Sequence, residues 1–113
     1  MKDQLFVLRP GFTDKGATHF CPYSAQVSGF LTYYPQVKAT LDLVELEFPK
    51  PRHPLVDLVG DKHQAAPLLV LAHDSRADVP DVAVGEANGH RFVEKTIDIL
   101  RYLAATRGVP GPH

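Results

Sequence analysis

The chain has 113 residues, of which 44% are hydrophobic and 22% charged, a composition typical of one ordinary globular domain. The formal net charge of −1 gives no sign of a nucleic-acid surface, and no apolar run approaches the roughly 20 residues of a membrane span. A single cysteine excludes an internal disulfide, and the first residues show no signal-peptide pattern. We therefore expect a cytoplasmic protein with no nucleic-acid or membrane partner.

The first half of the chain predicts a strand, a loop, a helix and a second strand. Residues 5–8 form a short apolar run closed by Arg-Pro-Gly, which favours a buried strand. The polar stretch 12–19 contains glycine and is expected to be a loop. Apolar residues then recur at helical spacing, which predicts a helix over 22–34 that ends at a proline. Leucine and phenylalanine alternate with glutamate in 41–48, as in a strand, and this strand would end at Pro-Lys-Pro.

The second half predicts a short helix, another buried strand and a hairpin. Residues 53–61 carry apolar side chains and a glycine stop, which indicates a short helix. The apolar run 68–72 follows a proline, a residue permitted at the start of a strand. A polar insertion, 74–83, precedes Asn88-Gly89, a dipeptide that favours a hairpin between two short strands.

The last predicted element is a helix over 96–107, stopped by Gly108, with Leu100 on its apolar stripe. A start near Arg91 fits the same periodicity, so both starts stay open. Residues 1–108 are interpreted as a single domain and 109–113 as a loose tail.

The only cysteine lies in Cys21-Pro22-Tyr23-Ser24, where the predicted helix begins. A thiol at a helix N-terminus faces free backbone N–H groups and the positive end of the helix dipole, which favour the reactive thiolate. Ser24 stands where a two-cysteine redox motif carries its second thiol, so a dithiol mechanism within one chain is excluded. The alternative is that Cys21 is a small buried hydrophobic residue.

The order of the elements resembles the thioredoxin-like fold, with Ala66-Pro67 in the place of its cis-proline loop. The motif that begins at Cys21 resembles that of glutaredoxins, and the turn and helix around Thr96 resemble the end of a glutathione-transferase N-terminal domain. As a whole, the chain is similar to a small bacterial family of thioredoxin-like proteins without an assigned activity. The resemblance implies an α/β fold with a central mixed four-stranded sheet flanked by helices, and a cis bond before Pro67.

The resemblance also implies a monothiol, glutaredoxin-like thiol-disulfide oxidoreductase that binds glutathione or a related thiol. Its partners would be small thiols and protein thiols. Cys21 would be the nucleophile, and the backbone N–H groups of Tyr23 and Ser24, with the Ser24 hydroxyl, would stabilise its thiolate.

The ligand itself would be held by residues from two further elements. The backbone of Ala66, just before Pro67, would pair with the ligand as an added strand does. Lys95 stands where transferases carry an acidic residue, so the γ-glutamyl contact would depend on Thr96, with Asp98 as a further candidate. Thr96 also fits the simpler role of a helix N-cap.

Two other classes of function compete with this hypothesis. The chain could be a binding or scaffold protein that kept the fold and lost the chemistry, since a fold alone does not fix function. A role in carrying an iron-sulfur cluster would need a second ligand from glutathione or another chain. The six histidines are scattered without metal-ligand spacing, so we expect no metal site.

The remaining polar residues have simpler interpretations beside the functional ones. Tyr23 either covers the thiol or is a solvated aromatic side chain. His19 is close enough in sequence to activate Cys21 as a base, although a solvated loop histidine is the simpler reading. The acidic residues Glu45 and Glu47 fit the solvent side of their strand. A basic rim for a carboxylate ligand, or merely solvated surface, could be formed by Lys50, Arg52 and Lys62.

Overall fold

The computed structural model describes all 113 residues and has a mixed five-stranded sheet, a separate two-stranded hairpin and four helices. The strands are β1 Asp3–Leu8, β2 Phe12–Asp14, β3 Ala17–His19, β4 Leu41–Leu46, β5 Leu68–Val70, β6 Gly85–Ala87 and β7 His90–Val93. The helices are α1 Pro22–Tyr33, α2 Pro35–Lys38, α3 His53–Val59 and α4 Thr96–Arg107. None of these helices is long and apolar enough to cross a bilayer.

The large sheet has the strand order β4-β1-β5-β7-β6. The parallel pair, β1 and β4, runs in register from Asp3 beside Leu41 to Leu8 beside Leu46, whereas every other neighbouring pair is antiparallel. The expected number of four strands is wrong, because β6 pairs with β7 and adds a fifth strand at the edge.

Residues 5–8 of strand β1 are buried on both faces, which explains their uninterrupted apolar sequence. On one face, Leu5 and Val7 pack into a cluster that includes side chains of α1 and α4. On the other, Phe6 and Leu8 join a cluster that includes side chains of α3. The helices therefore cover the sheet from both sides, and β1 lies between the two parts of the core.

The stretch 12–19 is a β-hairpin, so its prediction as a loop is wrong. Strands β2 and β3 pair around Lys15 and Gly16, which have φ values of 51° and 79°. Two consecutive positive φ angles are the requirement of a tight two-residue hairpin turn. Phe12 anchors the hairpin by stacking on Phe48, with ring centroids 4.4 Å apart.

The final helix begins at Thr96, and the alternative start at Arg91 is excluded because that residue lies in β7. The helix ends at Gly108, whose φ of 69° is left-handed, as expected for a glycine stop. The predicted core position on this helix needs correction, since Leu100 is only half-buried. Its fully buried apolar side chains are Ile99, Tyr102 and Leu103.

Candidate functional site

Cys21 lies at the N-cap of α1, in extended backbone conformation. Its Sγ accepts a hydrogen bond from the Ser24 backbone N–H at 3.4 Å. Pro22 is the first helical residue, where its missing N–H costs no helical hydrogen bond. The sulfur therefore faces the free donor groups of the first turn, the position expected from the sequence.

The loop before β5 meets Cys21 because β1 and β5 are antiparallel. Their register pairs Phe6 with Leu68, so the end of β1 lies beside the start of β5. The Ala66-Pro67 peptide bond is cis, and the Ala66 carbonyl oxygen is 3.9 Å from Cys21 Sγ. The two segments that the sequence singled out are thus adjacent in space.

A groove of about 520 Å³ lies next to these segments. It gathers four of the predicted site residues, namely Tyr23, Ala66, Pro67 and Thr96. Cys21 and Ser24 instead line a neighbouring cavity of about 270 Å³. Cys21 is half-buried, and its side chain packs against the apolar cluster beside α3. The predicted ligand residues and the thiol therefore share one end of the sheet, but the thiol lines the smaller cavity and not the groove.

The side chain of Ser24 has a different role from the one predicted. It is buried, and its hydroxyl oxygen accepts the backbone N–H of Leu8 at 3.1 Å. The hydroxyl is thus hydrogen-bonded to the end of β1, and only the backbone N–H of Ser24 contacts the sulfur of Cys21. The expectation that the hydroxyl stabilises the thiolate is corrected accordingly.

The beginning of α4 forms the far wall of the groove. The N-cap is Lys95, without a side-chain capping bond, so the N-cap interpretation of Thr96 is wrong and Thr96 is the first helical residue. Asp98 does not line the groove; it is buried, accepts the Ala83 backbone N–H at 3.3 Å and pairs with Arg101 at 3.6 Å.

Two polar groove residues, besides Ala65 and Ile97, were missed by the sequence analysis. Gln26 lies three positions after Tyr23, so the helical spacing itself places both on one side of α1. Glu94 supplies an acidic side chain one position before Lys95, and its carboxylate is 3.5 Å from Nδ1 of His63. Gln26 belongs to no recognisable motif, whereas Glu94 lies in the stretch that resembles the transferase domain, one position before the place of its acidic residue.

Arg52 is not part of a basic rim, because its side chain is buried. Its Nε and Nη2 donate to the Phe48 carbonyl oxygen at 3.0 and 2.8 Å, and its Nη1 donates to the Gln64 carbonyl oxygen at 2.6 Å. Burial lowers the pKa of the guanidinium, while the nearby Cys21 thiolate raises it. Of the proposed rim, only Lys50 and Lys62 are exposed.

Other candidate side chains have structural partners. His19 is exposed, and its Nε2 is 3.3 Å from the Asp14 carbonyl oxygen within the hairpin. Glu45 and Glu47 pair with Arg9 at 3.9 and 3.4 Å. No three or more His, Cys, Asp and Glu side chains are grouped so that they could hold a metal ion.

The fold and the site define an α/β protein with a lone cysteine at a helix N-cap beside a cis-proline loop. Residues 2–111 match the family described as "Protein of unknown function (DUF3088)", and the chain belongs to that family. No curated protein and no solved structure matches it.

Proposed function

We propose that this protein is a monothiol, glutaredoxin-like protein of the thioredoxin-like fold that binds glutathione or a related thiol. The observation that carries the proposal is the position of Cys21. Its sulfur is 3.4 Å from the N–H of Ser24 at the start of α1 and 3.9 Å from the carbonyl oxygen before the cis-proline. A sulfur in this position is exposed to the positive end of the helix dipole, which favours a nucleophilic thiolate.

The groove beside Cys21 suits a short extended peptide with charged ends. The backbone around Ala66 offers an edge to which such a ligand can add as a strand. Glu94 and Lys95 place opposite charges on the wall formed by the start of α4. The free N–H groups of the first turn at Thr96 attract a carboxylate. Glutathione carries an amino group and two carboxylates, so its charges match this arrangement.

The proposed chemistry is one thiol-disulfide exchange followed by a second. The Cys21 thiolate attacks one sulfur of oxidised glutathione, so a protein–glutathione S–S bond forms and the original S–S bond breaks. One glutathione leaves as a thiolate and takes a proton from water. Because the chain holds no second cysteine, another thiol must attack the adduct to release Cys21. Turnover with a protein disulfide or thiol should therefore depend on free glutathione.

The test is intact mass after incubation of the folded protein with oxidised glutathione at neutral pH. We expect one glutathione per chain, bound more rapidly than in a urea-unfolded sample, and no adduct in Cys21→Ser. Tyr23→Ala is the companion variant, because Tyr23 is exposed and lines the groove. It keeps the thiol of Cys21 but should slow adduct formation. An adduct that forms on the unfolded chain but not on the folded one would contradict the proposal.

The half-buried state of Cys21 and its packing against the apolar cluster favour a second candidate, a binding or scaffold protein. Such a protein would keep the groove as a peptide-binding surface, with the cysteine as a packing residue. Alkylation by iodoacetamide separates the two candidates. An activated thiol reacts faster in the folded protein than in the unfolded chain, whereas a packing residue reacts more slowly.

A further inference from the structure

Helix α1 presents an uncharged, aromatic surface to the solvent. Residues 20–37, which include the whole of α1, contain no Lys, Arg, Asp or Glu, although such residues make up 22% of the chain. On this helix the side chains of Tyr23 and Tyr33 are 58% and 80% exposed. Together with Gln26 and Phe30 they follow helical spacing, so the four residues form one stripe. Depletion of charge and enrichment in tyrosine and phenylalanine are typical of the core of a protein–protein interface.

A cavity of about 490 Å³ opens beside this stripe, and we call it the α1 cavity. It is lined by α1, by Leu100 of α4 and by the tail residues 110–112, and none of its ten lining residues is charged. Its lining includes Gly29, where an added Cβ would meet no atom within 4 Å. A glycine inside a helix lowers stability relative to alanine, and no neighbour within this chain requires one here. The space over Gly29 is therefore open to a side chain from another molecule.

The same helix carries a side chain that could fill this space in a second copy. Tyr33 lies one turn after Gly29, about 6 Å further along the helix axis. It is the most exposed of the tyrosine and phenylalanine side chains. A two-fold axis that passes between a projecting group and a recess on one face brings each projection into the recess of the other copy. The face of α1 thus carries both halves of a reciprocal contact.

Charge and area both favour a second copy as the occupant. Residues close to a two-fold axis face their own counterparts, so a charged residue there would meet a like charge, and this face has none. An aromatic side chain buries about 150–250 Å², so the exposed parts of Tyr23 and Tyr33 supply roughly 200–350 Å² of the about 800 Å² that each partner needs. The half-buried side chains of Phe30, Tyr34 and Leu100 add to this area.

We propose that this face of α1 is the interface of a homodimer, in which Tyr33 of each copy enters the space over Gly29 of the other. The interface adjoins the groove beside the cis-proline, because Gln26 lines both the groove and the α1 cavity. The dimer goes beyond the proposed function and does not depend on the thiol, since Cys21 lines neither of these two depressions.

The first test is sedimentation velocity over a range of micromolar protein concentrations. A reducing agent is present throughout, so that Cys21 cannot link two chains by a disulfide. We expect the mass of wild type to rise with concentration toward twice 12.5 kDa. Tyr33→Ala should weaken association at least about tenfold, as for a central aromatic residue of an interface. Thr32→Ala is the matched control, because Thr32 is exposed in the same turn but does not line the α1 cavity.

The second test uses two variants that should fail alone and succeed together. Gly29→Lys fills the space that receives the partner's tyrosine, and Tyr33→Glu replaces the tyrosine with a charge. In a mixed dimer the introduced lysine meets the introduced glutamate, while the other contact keeps its wild-type residues. We therefore expect the equimolar mixture to associate at least about tenfold more tightly than either variant with itself. Circular dichroism and urea midpoints check that each variant is folded.

A wild type that stays monomeric at all concentrations would overturn the inference, and so would a Tyr33→Ala dimer as tight as that of wild type. If Gly29→Lys does not fold, the comparison of Tyr33→Ala with Thr32→Ala decides alone. Cys21→Ser cannot form the glutathione adduct but should dimerise like wild type. Failure of the dimer and failure of the proposed function are therefore distinguishable.

Discussion

Ser24→Ala removes a hydroxyl that completes the hydrogen bonding of β1. The register between β1 and β5 ends at Phe6, so Leu8 lies beyond the antiparallel ladder. Its backbone N–H is instead satisfied by the Ser24 hydroxyl at 3.1 Å, in a buried setting. Without that oxygen, the N–H of Leu8 would be left buried without a partner.

The expected cost follows from two opposing terms. Leaving a buried donor unsatisfied costs about 1–3 kcal/mol. Alanine has a better helix propensity than serine, which returns about 0.5 kcal/mol at a position within α1. Ser28 offers a matched control in the same helix, because its side chain is exposed and makes no hydrogen bond in the structure. Ser28→Ala should therefore keep or slightly raise the stability.

Urea unfolding followed by circular dichroism measures both variants against wild type. We expect a lower midpoint for Ser24→Ala with an unchanged m-value, and no loss for Ser28→Ala. Adduct formation at Cys21 should survive in Ser24→Ala, since the backbone N–H that contacts the sulfur remains. Equal urea midpoints for the two variants would refute a stabilising hydrogen bond between the Leu8 N–H and the Ser24 hydroxyl. Loss of the adduct in a stably folded Ser24→Ala would restore a direct role for the hydroxyl.

Two further predictions concern α4. Leu103→Ala should cost about 2–5 kcal/mol because the side chain is fully buried, and Leu100→Ala should cost about half as much because Leu100 is half-buried; denaturation midpoints check the order. Burial, with Asp3 adding to it, raises the pKa of Tyr102, whose hydroxyl donates to the Arg76 carbonyl at 2.7 Å. The unfolded state therefore loses this proton first, so the stability that Tyr102 contributes is fully present below about pH 10 and falls as the pH rises through the folded-state pKa. In Tyr102→Phe, the melting temperature should therefore fall less steeply with rising alkaline pH than in wild type. An equally steep fall in both proteins would contradict this role of Tyr102.

The main elements were predictable from the sequence because local rules determine them. The apolar run of β1, the proline at the start of α1 and the Asn88-Gly89 turn each carry their own signal. The hairpin 12–19 was missed because its strands have three residues each and little alternation of apolar side chains. Its turn uses Lys15 at positive φ, a conformation that a lysine does not signal.

The candidate site was predictable only in part, for a related reason. Cys21 and Pro67 stood out by residue type, and the order of elements brought them together. The roles of Arg52 and Ser24 depend on backbone groups 12 and 16 positions away. Backbone carbonyl and N–H groups occur at every residue, so the sequence contains no sign of which one a buried side chain will contact.

The role of Ser24 also bears on why one thiol is present at this site. A resolving cysteine at this position would have to replace an oxygen that accepts the Leu8 N–H, and a thiol is a weaker acceptor than a hydroxyl. The serine hydroxyl here accepts the N–H at the end of β1, while the backbone N–H of Ser24 donates to the sulfur of Cys21. The fold thus uses the second motif position for its core, and under the proposed function the release of Cys21 falls to an external thiol. The proposed dependence of turnover on free glutathione follows from the absence of a second cysteine, and the hydrogen bond that anchors α1 to β1 gives a structural reason for the serine in its place.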